Sequence, residues 1–425
     1  MTARALLAAC LLATAALGTA AAQTATTPQA PNWCVDCHLA LDDATMTPPA
    51  KAFAEDIHAR SGFTCVFCHG GDSTKEDQEL AHDPRRGFRG KPKPAEIPEL
   101  CGKCHADAVL MKRFDPSERV DQLAEYRTSR HGQKLAQGDT RVAHCVSCHG
   151  AHGVLPVNDA RSPVSPTRVA ATCNHCHGDA ALMALYNLPA DAYAKYSRSA
   201  HARARANGDL SAPTCNSCHG NHGAAPPEVG SVANVCGTCH AVFAEQFKLS
   251  PHWEGFAELG QPGCITCHGN HEILPASDEL LGTGPRGVCE SCHEAGSPGG
   301  RAAAAMHASL TGLDREIVAA GSLLERAREA GMEVSRHEFD LVQAKDALTR
   351  ARADVHLARL SAVAEPAGRG AAVARASRAG ALAALKERDV RRKGLFVSLV
   401  LVGLAIAALV WKIRSIERPG KDLSD

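Results

Sequence analysis

Eighteen of the 19 cysteines in this chain fall into nine copies of one pentapeptide, Cys-x-x-Cys-His, and no other feature limits its fold as tightly. The copies are Cys34-Val-Asp-Cys37-His38, Cys65-Val-Phe-Cys68-His69, Cys101-Gly-Lys-Cys104-His105, Cys145-Val-Ser-Cys148-His149 and Cys173-Asn-His-Cys176-His177. Cys215-Asn-Ser-Cys218-His219, Cys236-Gly-Thr-Cys239-His240, Cys264-Ile-Thr-Cys267-His268 and Cys289-Glu-Ser-Cys292-His293 complete the set. Two thiols three positions apart share one side of a helical turn, and the next side chain is always an imidazole.

That spacing is the attachment motif of c-type haem. Each thiol can form a thioether to a haem vinyl group, and the adjacent histidine then reaches the iron from the proximal side. A redox disulfide does not require a histidine after the second cysteine, still less nine times. Structural zinc needs four ligands with a second half at a regular distance. Disulfides of an exported chain would impose no histidine rule. Aromatic residues are 4% of the chain, too few for an ordinary protein core, and covalent haem would supply the missing apolar bulk. Basic and acidic residues balance at 46 each, so the charge carries no nucleic-acid footprint.

Thirteen histidines remain once the nine proximal ones are set aside. Three follow a motif as Cys-His-Gly-x-His: His152, His222 and His271. Three precede a motif as Ser-x-His: His131, His201 and His252. His58, His82 and His307 hold roughly equivalent places at the two ends, which makes nine candidate distal ligands for nine irons. His356 or His337 could replace one of these last three, while His144 abuts a motif and His175 lies inside one. A histidine three residues beyond its own proximal ligand is tethered on the wrong side for that iron, so it is expected to reach a neighbouring one. Met46, Met111 and Met183 share no repeat position and read as packing residues.

The chain also repeats itself. A unit of Ser-x-His, Cys-x-x-Cys-His-Gly-x-His and a second Cys-x-x-Cys-His runs from His131 to His177, His201 to His240 and His252 to His293. A divergent copy spans His58 to His105, preceded by the single motif at Cys34. Connectors such as Arg89-Gly-Lys-Pro-Lys-Pro94 make poor helix or strand, so short helices and irregular loops are expected here. From Cys34 to His293 the sequence resembles the cytochrome c3-like and doubled-CxxCH multihaem families, on the nine motifs and the pairs His149/His152, His219/His222 and His268/His271. The resemblance implies stacked haems with bis-histidine irons. No Cys-x-x-Cys-Lys variant is present, unlike the active-site motif of pentahaem nitrite reductases.

The two ends read differently. Residues 1–22 have the form of an export signal: Arg4, an apolar run from Ala5 to Leu17 and a small-residue cleavage site at Ala20-Ala21-Ala22. Leu7-Ala8-Ala9-Cys10 has the look of a lipoprotein box, but the apolar run continues past Cys10, which is expected to leave with the signal. Residues 23–299 are then the haem domain. In residues 300–365, Met306, Leu310, Leu313, Ile317, Ala320, Leu324 and Ala327 form one helical stripe. Gly331 interrupts it, Ser335-Arg336-His337-Glu338 reads as a capping box, and Leu341, Ala344, Leu348, Ala351, Val355 and Ala358 form a second stripe. An antiparallel helical hairpin is expected, followed by an Ala/Arg-rich helical linker over 366–394 that opens on Pro366-Ala-Gly-Arg-Gly370. Leu395 to Trp411 is uncharged and long enough to span a bilayer, with a tail over 412–425.

The expected fold is mainly α with extensive irregular loops: a multihaem array, a helical hairpin and one C-terminal transmembrane helix. The expected role is electron relay through nine covalent haems in a respiratory chain, on the periplasmic face of the inner membrane. Its partners would be a membrane quinol-oxidising donor and a periplasmic or outer-membrane acceptor. The alternatives are a terminal reductase of a small nitrogen or sulfur oxyanion at one open iron, or a haem subunit of a quinol-oxidising complex.

Overall fold

A computed structural model describes residues 32–228, 231–282 and 284–417, so the signal segment and the last part of the tail lie outside the described residues. The chain is mainly helical, with no strand among the described residues. It divides into two units, residues 32–124 with 131–165, and 125–130 with 166–417.

Each motif forms one helical turn because its histidine N–H closes back on the first cysteine, as in His69 N to Cys65 O at 2.9 Å and His293 N to Cys289 O at 2.9 Å. The two motifs of a repeat end differently. Gly70, Gly150, Gly220 and Gly269 stop the first motif of each pair with φ of 69°, 80°, 81° and 73° and ψ near ±170°. Only glycine takes up that conformation readily. A Cβ on Gly70 would also lie 2.1 Å from the carbonyl oxygen of Gly87. Two of the second motifs instead end longer helices, Ile97–His105 and Val169–His177, and Asp107 or Asp179 then caps the next short helix.

Successive repeats are stitched together by one recurring backbone hydrogen bond. The N–H one residue before the Ser-x-His histidine, or its counterpart at His58, donates to a carbonyl two residues past the distal histidine of Cys-His-Gly-x-His in the following repeat. The instances are Ile57 to Val154 (2.8 Å), Arg130 to Ala224 (3.1 Å) and Ala200 to Ile273 (2.7 Å). The residue before each donor is nearly inaccessible: Asp56, Ser129 and Ser199 are 1%, 0% and 0% exposed.

Apolar burial is unevenly shared. Among the described residues, seven apolar ones are buried between residues 32 and 297, against seventeen from Ala303 to Ala381. All of the latter but Val334 belong to three helices, Pro298–Glu329, Ser335–Asp354 and Leu360–Glu417. All seven residues of the first stripe are buried, together with Leu341, Ala344, Leu348 and Ala351 of the second. Between the first two helices Gly331 takes φ +76°, and Met332 N–H reaches back to Ala327 O at 3.0 Å. The capping box read at Ser335 does not form in that register; the carboxylate of Glu333 accepts from Ser335 N–H at 2.9 Å instead.

The hairpin is in fact two thirds of a three-helix bundle, because the stretch read as a helical linker is helical as expected and also packs along it. Val363, Ala367, Ala374 and Ala381 are buried in the same core. The small residues that resemble breakers in sequence permit close helix approach. A Cβ on Gly370 would lie 2.8 Å from Ala347 Cβ and 3.0 Å from Leu313, and one on Gly380 would meet the ring of His337. Gly370→Leu is therefore expected to destabilise the bundle by about 1–3 kcal/mol through overpacking. Gly368→Ala, at a position that meets nothing within 4 Å, should raise stability by about 0.5–1 kcal/mol. Thermal unfolding followed by circular dichroism separates the two.

Candidate metal centres

The histidines come together in pairs. Ring centroids lie 6.1 Å apart for His38–His82, 5.9 Å for His58–His105, 6.0 Å for His69–His152 and 6.2 Å for His201–His240. The separations are 6.0 Å for His219–His271, 6.0 Å for His252–His293 and 6.1 Å for His268–His356. Across the same seven pairs the interplanar angle runs from 6° to 86°. Ring packing links separation to tilt, since stacked and edge-on pairs prefer different spacings. A nearly constant separation at any tilt instead suits two rings pointing nitrogens at a common centre, free to rotate about that axis. With metal–nitrogen bonds of about 2.0–2.1 Å and each ring centre roughly 1 Å behind its nitrogen, the expected separation is about 6 Å.

Pairing follows repeat position. His201 and His252, of the Ser-x-His type, face the second-motif histidine of their own repeat, and so does His58. His152 and His271, of the Cys-His-Gly-x-His type, face the first-motif histidine of the preceding repeat. The stitching hydrogen bond accounts for this, because it draws the segment after one motif onto the repeat before it. His131, His149, His177 and His222 also engage neighbours.

Several rings are oriented from behind, as metal-ligating histidines generally are. His69 Nδ1 lies 3.2 Å from the carbonyl oxygen of Gly90, His219 Nδ1 3.2 Å from that of Ala225 and His356 Nδ1 2.9 Å from that of Ala353. With Nδ1 donating to a carbonyl, Nε2 keeps the lone pair that a metal needs. His58 is held differently, by the buried carboxylate of Asp56 at 2.8 Å. Burial, followed by the facing imidazole, pushes His152, His201, His252, His268 and His271 below the usual histidine range, which favours the neutral, ligating form.

None of the eighteen described cysteines is fully buried. This is unusual for a residue type normally hidden in cores. Thiols of successive motifs meet: Cys34 with Cys65, Cys101 with Cys145, Cys173 with Cys215 and Cys236 with Cys264. In the first of these pairs the hydrogen bond raises Cys34 and lowers Cys65.

The donor sets fit haem and not zinc. Among the described residues no group of three or more His, Cys, Asp or Glu side chains gathers to hold an ion. Each pair would supply two imidazoles to a haem, and the accessible thiols of its motif could tether that haem.

Two single residues depart from expectation. The imidazole opposite His268 belongs to His356, which sits on the short turn Val355–Leu357 between the second and third bundle helices. His307, one of the nine expected distal ligands, lies on the first bundle helix, and none of the described ring contacts involves it. His356 was named as a possible replacement for an end histidine; it falls within the second stripe as read, between Val355 and Ala358, where the helix gives way to a turn. Of the other histidines, His337 packs against Gly380 and His144 Nδ1 is buried without a partner. Met183 is buried and Met46 exposed, and neither has a pairing role.

No protein-family model, curated protein or solved structure matches the chain.

Proposed function

We propose that this chain is a membrane-anchored multihaem c-type cytochrome that relays electrons through nine covalently held haems in a respiratory chain. The observation that carries this reading is the set of seven imidazole pairs at one separation, each including the histidine of a Cys-x-x-Cys-His motif. Bound haem iron supplies reversible one-electron chemistry. The chain supplies everything else. Its eighteen motif cysteines tether the groups, and its imidazoles orient them and cap both faces. The ligand set consists of His38, His69, His105, His149, His177, His219, His240, His268 and His293 with His58, His82, His131, His152, His201, His222, His252, His271 and His356. Bis-imidazole capping lacks the methionine that raises potential, so low-potential centres are expected.

An oxyanion reductase would need an iron with a free face, and eighteen imidazoles for nine irons leave none. The expected result for protein from a host that matures c-type cytochromes is nine haems per chain, all low-spin, with no carbon monoxide uptake on reduction. Fewer than nine haems, or a native high-spin signal, would count against the reading.

One helix, Leu360–Glu417, is long and apolar enough to cross a membrane. We place its apolar run in the inner membrane with the haems on the periplasmic side, because covalent haem attachment takes place outside the cytoplasm. Protease added to the periplasmic face should then digest the haem segment and spare the tail after Lys412. A membrane-associated donor and a periplasmic or outer-membrane acceptor are the partners that fit this placement.

A further inference from the structure

The helix that carries the apolar run is the third helix of the bundle. It continues from Leu360 to Glu417, so bundle and anchor share one axis. Pro366, in its second turn, removes a single backbone donor, and the residues on either side, Val363 and Ala367, stay buried in the bundle core. At about 1.5 Å of rise per residue, the stretch from Leu360 to Leu395 is about 50 Å long. Gly370 packs beside Leu313 and Ala347, and Gly380 beside His337. The other two helices therefore brace the upper part of this length, and Ala381 is the last residue buried against them. Ala384 and Leu385 still pack partly against the core, so about 15 Å of single helix separates Leu385 from the start of the apolar run.

The haem segment of the same unit meets the bundle at the opposite end. Arg352 pairs with Asp278 at 2.8 Å, Gln246 donates to Asp354 at 2.7 Å and Arg359 donates to the carbonyl of Leu249 at 3.1 Å. His356 faces His268 at this same level. Between it and the apolar run, the third helix contains no histidine or cysteine, and the run itself contains no carboxylate.

Resting on the cytochrome reading above, we propose that the bundle is a rigid standoff. It holds the centre of His268 and His356 about 50 Å above the bilayer surface. The electron partner at that centre is then a protein whose own redox group projects from the membrane to this height, not a quinol dissolved in the bilayer. Tunnelling falls exponentially with distance, and nothing along the helix offers an intermediate stop. In the exchange one iron gains an electron as the partner's centre is oxidised by one electron, or the reverse, and no bond is made or broken.

The test uses the full holo-chain, alone, in phosphatidylcholine–phosphatidylglycerol vesicles. Two reductants carry the same naphthoquinol headgroup, one water-soluble and one on an isoprenoid tail that confines it to the bilayer; reduced viologen dye serves as control. The expected result is rapid reduction by dye and soluble quinol, and reduction at least 100-fold slower by the tailed form. Replacing residues 384–392 with a flexible Gly/Ser segment should remove most of that difference by letting the haem segment approach the membrane. Equal rates for the two quinols in the native chain would overturn the standoff. So would a lag unaltered by the flexible segment in a variant that retains nine haems. Failure of the dye to reduce haem, or absence of haem, would instead strike the cytochrome reading itself.

Discussion

His356→Ala is expected to convert one of nine haems to a high-spin, carbon monoxide-binding form while the other eight keep their spectra. The ring of His356 lies 6.1 Å from that of His268, and its Nδ1 is fixed by the carbonyl of Ala353. Removing it leaves one axial position with no imidazole to fill it. Magnetic resonance and carbon monoxide titration read the change directly, and added imidazole should restore the low-spin form. His307→Ala is the counterpart and should leave all nine unchanged. If His307→Ala opened an iron and His356→Ala did not, the assignment would be reversed.

Asp56→Asn should raise the potential of one haem, the one held by Cys101, Cys104, His105 and His58, and weaken the local fold. The carboxylate of Asp56 is 2% exposed. Its Oδ1 accepts from the backbone N–H of His58 and lies 2.8 Å from that residue's Nδ1. Its Oδ2 accepts from Val154 N–H at 2.8 Å. An ionised acceptor behind an imidazole strengthens it as a donor and favours the oxidised iron. Losing that charge should move the potential up by about 60 mV, one tenfold change in a one-electron equilibrium. An amide also cannot accept on both sides, so one donor is left facing an NH2 group at a cost of about 1.5–3 kcal/mol. Asp56→Ser should stabilise better than Asn, since serine holds this position before His131, His201 and His252. Potentiometry of the variant checks the first effect and thermal melting the second. An unchanged potential would mean that Asp56 serves the fold alone.

The position of Asp56 shows how legibility divides. The Ser-x-His pattern was visible as a repeat, and Asp56-Ile-His58 is its variant. Nothing in the one-dimensional pattern reveals that the carboxylate turns back onto the imidazole and also reaches Val154, 98 residues away. The Ala/Arg-rich stretch divides in the same way: its helicity was legible, but its packing as a third bundle helix was not, because helix propensity is all a local reading can weigh. In the bundle, the missing side chain at Gly370 is what lets Leu313 and Ala347 approach.

The sequence alone determined where the paired thiols and the histidines after them lie, because the proposed attachment would depend on spacing within five residues. It likewise determined where the helical stripes and the apolar run fall, since both are periodic or continuous along the chain. Tertiary structure decided which imidazole faces which, that His356 stands opposite His268, and that anchor and bundle are one helix. Those outcomes depend on contacts between segments tens of residues apart, where spacing no longer fixes distance and only packing and hydrogen bonding do.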